Sequence, residues 1–249
     1  MEKFDDLIDR ISGFPEGSVV RREALEADSM SFAFGPHAGR GVVLQRSAAL
    51  ELGADGHSCT MILPTSDTSR VVDGRISVYG ADVDELISAW EGQTPSQASV
   101  GQVILVAGSD IDVADLSTLE DCLYTKDYID GYFVRSSEGR VHSRIAQRLV
   151  DAGFGFAELG SVLSIMVKEA CPSVESVELV FVSEAGELLD ELKAIRPEWL
   201  SRMHDARKDL WLEKGLDIDC PAGGHCGQCA DKNLCDSVRK IARIRKKGQ

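Results

Sequence analysis

Four cysteines fall within sixteen residues near the C-terminus, in the run CPAGGHCGQCADKNLC. They are Cys220, Cys226, Cys229 and Cys235, spaced C-x5-C-x2-C-x5-C. Four thiolates this close in sequence meet at one point only if the chain wraps around something. Soft sulfur donors select a soft metal centre. The other three cysteines, Cys59, Cys122 and Cys171, are scattered, so the cluster does not follow from composition.

An iron–sulfur cluster is the favoured occupant, and a [4Fe–4S] centre takes four thiolates. A structural zinc held by the same four thiolates is the second reading. A disulfide pair or a redox-active CxxC is the third. Pro221, Gly223, Gly224 and Gly227 suit a tight loop that turns backbone N–H groups toward cluster sulfurs. Zinc ribbons more often pair two distant CxxC units, whereas here one CxxC has a single cysteine on each flank. His225, beside Cys226, reads as a loop histidine before it reads as a ligand.

With 249 residues, 43% hydrophobic and 27% charged, the chain has material for a core without metal. Cysteines 59, 122 and 171 sit in or beside apolar runs and read as buried, inert thiols. No apolar run is long enough for a membrane helix. The start, MEKFDDLIDRISGF, is amphipathic and charged, unlike a signal peptide. A cytoplasmic location is expected. The net charge is −14, although residues 239–249 hold six basic residues and no acid. The remainder is therefore more acidic than the whole, which argues against general nucleic-acid binding. The basic tail suits an acidic partner, nucleic acid or the chain's own acidic surface, or is simply solvated.

Apolar spacing predicts a helix over 3–12, short strands at 30–34, 41–45 and 59–63, and a hairpin over 70–80 turning at Asp73-Gly74. A short helix follows at 82–91 and a buried strand at 101–109. Helices are expected over 114–126 and 141–152. Phe156, Leu159, Val162, Leu163, Met166 and Val167 make a wide apolar stripe on one helix that Pro172 ends. Val177–Val182 reads as a central strand, and 185–214 as a charged helix open to a break at Pro197. The expectation is an α+β fold: a mixed sheet with packed helices over 1–190, a helical connector over 191–219, and a four-cysteine metal loop with a basic helix over 220–249.

The pattern G-F-x-x-x-x-L-G-x-x-L at Gly153, Phe154, Leu159, Gly160 and Leu163, and the run V-x-D-G-R-I-x-V-Y-G-A-D at 71–82, resemble the middle region of the acetyl-CoA synthase subunit of carbon monoxide dehydrogenase/acetyl-CoA synthase complexes. The stretch Arg202–Lys208, followed by Lys214-Gly215-Leu216, resembles the connector that leads into that family's four cluster cysteines. The resemblance spans about residues 15–235. It implies a shared fold, a [4Fe–4S] cluster on Cys220, Cys226, Cys229 and Cys235, and anaerobic one-carbon metabolism. The implied partners are a corrinoid protein, a methyltransferase, a carbon monoxide dehydrogenase or a ferredoxin.

The departures are specific. The family's cysteine spacing begins with CxxC, whereas here CxxC is central. The family's nickel site needs Cys-Gly-Cys, and this sequence has none. The expected role is an electron-transfer or docking module. The alternatives are a minimal acyl- or methyl-transfer enzyme with a second metal bridged to the cluster, and a zinc-stabilised interaction protein. No catalytic residue is assigned. GPHAGRG at 35–41 lacks a nucleotide-loop pattern and reads as a turn rather than a phosphate cradle. Trp90, Trp199 and Trp211 suit packing before contact with an adenine ring. His37, His57, His142 and His204 have no ligand spacing. The acid pairs Asp5-Asp6 and Glu120-Asp121 read as solvated surface.

Overall fold

The computed structural model describes residues 2–14, 20–21, 33–39, 41–53, 58–89, 95–124, 128–137, 140–213 and 232. In chain order the elements are α1 (Asp5–Ser12), β1 (Val20–Arg21), β2 (Ala48–Leu52), β3 (Ser58–Thr65), β4 (Ile76–Gly80), α2 (Val83–Ser88), β5 (Ser96–Ala98) and β6 (Val100–Ala107). They continue with α3 (Leu116–Asp121), β7 (Tyr132–Ser137), β8 (Arg140–Ala146), α4 (Gln147–Asp151), α5 (Phe156–Ala170), β9 (Ser176–Ser183) and α6 (Gly186–Glu213). The fold is α+β with two mixed sheets.

The first sheet has the order β1-β4-β9-β6-β3. β9 lies at its centre, parallel to β4 and antiparallel to β6, while β6 runs parallel to β3. These strands are near-continuous apolar runs because both faces are covered. Strand register separates the faces. Ile76, Leu179 and Ile104 lie in one cross-strand row, and α5 packs there: a Cβ on Gly160 would stand 2.9 Å from Ile76 Cδ1. Phe156 of α5 stacks on Phe181 of β9, with ring centroids 4.9 Å apart. Cys59, Gly101 and Val182 lie in an opposite-facing row, and α6 covers them through Leu192 and Leu189. The second sheet, β5-β2-β8-β7, joins the same core through Leu50, Leu52 and Ile145.

The predicted helices at 3–12, 82–91 and 156–167 form, as do the strands at 59–63, 101–109 and 177–182. Three expectations fail. Residues 41–44 are irregular and lead into a 3-10 turn at Gln45–Ser47. Val42 and Leu44 are exposed, and the strand begins at Ala48. Of the strand expected at 30–34, Phe34 forms an isolated bridge with Ile129, and residues 30–32 lie outside the described residues.

At 70–80 the turn forms at Asp73-Gly74, with Gly74 at φ 71°, but no hairpin closes on it. Residues 68–70 are a 3-10 turn, and β4 takes its partners from β1 and β9. Residues 140–146 form β8 instead of a helix. His142 and Arg144 are half-exposed while Ser143 and Ile145 are buried, and that alternation is the signature of a strand. The long helix α6 continues through Pro197. This proline is exposed, as is Lys193, whose carbonyl it cannot pair with through an N–H.

Candidate metal centre

Cys220, Cys226, Cys229 and Cys235 lie outside the described residues, as do His225 and the basic tail. Their donor chemistry fits a soft metal: thiolates bind Fe–S clusters and zinc outright. The described residues define the helix that delivers them. α6 buries Leu189, Leu192, Ile195, Trp199, Met203 and Ala206. That spacing of three and four keeps one stripe on the sheet for five turns.

Polar anchors accompany the stripe. Trp199 Nε1 donates to the Ile62 carbonyl of β3 at 2.8 Å. Arg202 spans Asp6 of α1 with both terminal nitrogens, one at 2.7 Å, and also bonds Glu198 and the Lys3 carbonyl. Arg202 holds the Asp6 carboxyl below the usual carboxylate range. Farther along, Arg207 pairs with Glu120 of α3, and the two side chains are only 6% and 7% exposed.

This pair and the Asp6 contact correct the reading of the acid pairs. Glu120 is buried and ion-paired, and Asp6 is engaged. Arg207 sits beside Ala206, the last described apolar position of the stripe, so the sequence pattern alone does not separate it from solvent-facing arginines. A second buried carboxylate, Glu51 on β2, accepts from Arg144 Nε of β8 at 2.6 Å and from Gln97 Nε2 of β5 at 3.3 Å. From sequence Glu120 reads as solvated surface, and Glu51 is not among the candidate residues.

The three remaining cysteines are buried, as expected. Cys59 donates to the Leu192 carbonyl beneath α6, and burial pushes its thiol up to about 11. Burial likewise pushes Cys122 up to about 12 and raises Cys171. Thiols so poorly ionised are weak nucleophiles and weak metal ligands. Among the described residues no group of three His, Cys, Asp or Glu side chains is arranged to hold a metal.

The glycine-rich loop is a turn resting on a neighbouring strand end. Gly35 N–H donates to the Tyr128 carbonyl, and a Cβ on Gly39 would stand 2.5 Å from the Ile129 oxygen. Trp199 is core, whereas Trp90 and the Trp211 side chain lie outside the described residues.

The two motifs behind the family resemblance meet each other. Asp73 accepts from Lys168 of α5 and from the Val177 N–H. Asp82 Oδ1 caps two helices at once, accepting from Val83 N of α2 at 2.7 Å and from Phe156 N of α5 at 2.9 Å. Gly160 brings α5 onto Ile76. The motifs therefore encode how one helix docks on one strand, and no reactive constellation.

A model of the CO dehydrogenase/acetyl-CoA synthase complex beta subunit family matches residues 30–188. The chain belongs to this family. The match covers the second sheet and all of the first except β1, includes the β4–α5 unit, and ends within the first turn of α6. A curated relative, the acetyl-CoA decarbonylase/synthase complex subunit beta of Methanothermobacter thermautotrophicus, is 27% identical over 151 residues. That alignment takes in 60% of this chain and 31% of the relative. The family and the chain thus share the α+β body. Among the described residues, no helix is long and apolar enough to cross a membrane.

Proposed function

We propose that this chain is an acetyl-CoA-synthase-like iron–sulfur protein that docks a partner and transfers electrons in anaerobic one-carbon or corrinoid metabolism. Cys220, Cys226, Cys229 and Cys235 are the proposed ligands of one [4Fe–4S] cluster. The observation that carries this reading is a juxtaposition. A body of the complex's beta-subunit family continues into a helix packed on that body, and four thiolates follow the helix within sixteen residues.

The cluster supplies one-electron chemistry when bound. Cys220, Cys226, Cys229 and Cys235 would hold it, and nearby backbone N–H groups are the lever by which such a cluster is tuned. The body supplies the docking surface. The relative's name places it in a multi-subunit complex, which supports a protein partner here: a corrinoid protein, a methyltransferase, a carbon monoxide dehydrogenase or a ferredoxin. Poorly ionised body thiols support a ligand set confined to the C-terminal four.

Metal and acid-labile sulfide analysis of anaerobically purified protein tests this, together with electron paramagnetic resonance after dithionite reduction. About four irons and four sulfides per chain, with a fast-relaxing reduced signal, are expected. Cys229→Ala abolishes that signal. Stoichiometric nickel as well as iron would move the assignment to a minimal acyl- or methyl-transfer enzyme. About one zinc and no iron would replace the electron-transfer role with a zinc-stabilised interaction protein.

A further inference from the structure

We propose that segment 42–44 is a docking strand, which pairs with an extended, acid-bearing segment of another protein. The proposal rests on the docking role assigned above to the body and places it on one face.

Val43 fastens the segment. It is 6% exposed and packs with Ala48, Ala146 and Phe133, a small apolar cluster apart from the main core. Ala48 lies opposite Ala146, and Phe133 opposite Arg144, on the face of the second sheet turned away from the core. Leu50 and Ile145 occupy the other face and belong to the main core. Val42 and Leu44 flank Val43 and are 65% and 48% exposed. Exposure that alternates residue by residue marks extended backbone, and Leu44 has the matching dihedrals, φ −67° and ψ 147°.

Extended backbone turns the N–H and C=O of alternate residues to opposite edges. The Val43 carbonyl is taken by Arg144 Nη1 of β8 at 3.3 Å. The N–H groups of Val42 and Leu44 therefore lie on the edge turned away from that contact. Among the described residues, neither of these two groups donates to a protein acceptor. A β-branched, extended segment with unused donors is a template for strand addition. A strand laid along that edge also covers Val42 and Leu44 through cross-strand pairs.

The charge of the site selects the occupant. Positions 33–50 contain no Asp or Glu, in a chain with 41 acids. Two adjoining acids are neutralised. Glu51 is buried against Arg144, and Asp130 is spanned by both terminal nitrogens of Arg148. Arg46 is exposed and joins no acid among the described residues. An incoming strand with a carboxylate near that end satisfies it. A second copy of this chain brings another Arg46 and a net charge of −14, and is repelled.

The test pans a displayed library of short random peptides against the full chain, metal-loaded and metal-free. Enriched peptides are then titrated by fluorescence anisotropy. They are expected to carry alternating apolar residues and at least one acid, and to bind equally with and without metal. Leu44→Ala removes the side chain alone and weakens binding about tenfold. Leu44→Pro removes the N–H as well, and the native φ of −67° already suits proline. It weakens binding about a further fivefold through the lost hydrogen bond. Arg46→Glu weakens binding about fivefold at low salt and less at high salt. All three keep the thermal midpoint within about 3 °C, since the replaced side chains are exposed.

Equal binding by Leu44→Pro and Leu44→Ala would show an apolar contact without strand pairing and overturn the proposal. So would a selection that yields no peptide, or only peptides without acids. A concentration-dependent dimer in sedimentation velocity, lost in Leu44→Pro, would make the occupant a second copy and refute the partner strand. Absence of iron would refute the cluster assignment alone, because the peptide titration does not use the metal.

Discussion

Asp82 concentrates several requirements in one side chain. Its Oδ1 accepts from the first N–H groups of both α2 and α5, and its own N–H donates to Glu85. Helix N-termini leave unpaired N–H groups and carry partial positive charge, so one carboxylate between two such ends serves both. Asp82→Ala removes both caps in a buried site and is expected to cost about 2–4 kcal/mol, with Asp82→Asn costing roughly half. Urea unfolding followed by circular dichroism measures it, and a loss below about 1 kcal/mol would contradict the shared cap. The buried acids of the core set a second behaviour. Cys59 and Cys122 are pushed up to about 11 and about 12 by burial, and Tyr132 to about 12. In the unfolded chain the same thiols ionise near pH 9 and the phenol near pH 10. Above those values the unfolded state binds fewer protons than the folded one, so stability falls as pH rises. Unfolding midpoints are therefore expected to decline from about pH 9 toward pH 12. Cys59→Ser flattening none of that decline would argue against its buried thiol.

At the scale of elements, the β4–α5 contact explains why a motif was readable before its purpose was. Gly160 lets the helix approach Ile76 closely, and a Cβ there meets three Ile76 carbons at 2.9–3.1 Å. Gly160→Ala overpacks the interface and is expected to cost about 1–3 kcal/mol. Ile76→Val removes Cδ1, the nearest atom, so the double variant is expected to recover part of that loss. A double-mutant cycle measures the coupling, and strict additivity would mean the two residues do not share the space. The helices and central strands were legible because their apolar spacing is dictated by burial on one or two faces. β8 was misread because Ile145, Leu149 and Val150 straddle a strand and the short helix α4, and their spacing fits a helix when the two are read as one element. The run at 41–45 looked like a strand from composition, but Val42 and Leu44 face solvent. The turn at Asp73-Gly74 was legible, whereas its strand partners were set by β9, about a hundred residues away, which local pattern does not encode. At the candidate site the four cysteines rest on their sequence spacing and lie outside the described residues. Glu120 and Arg207 were not legible, because an ion pair 87 positions apart leaves no local trace in so acidic a chain.

For the whole molecule, the question is what the metal loop contributes to folding. The described core runs without interruption from Phe4 to Ala206 and draws on both sheets and on α1, α5 and α6. Zinc fingers fold only with metal because their cores are too small to offset chain entropy. A chain of this length buries a far larger share of its surface and does not need that contribution. The metal-free protein is therefore expected to keep the body's cooperative thermal transition within about 3 °C of the loaded protein. Any change on metal removal should be confined to the C-terminal segment. Differential scanning calorimetry and hydrogen exchange before and after chelation measure this, with Cys226→Ala/Cys229→Ala as a chelator-free control. A collapse of the main transition would mean that the loop is built into the core. Retention would leave a self-sufficient family body onto which a metal-bearing segment is attached through α6. In that arrangement, changes to the cysteine loop alter the redox chemistry without endangering the fold that docks the partner.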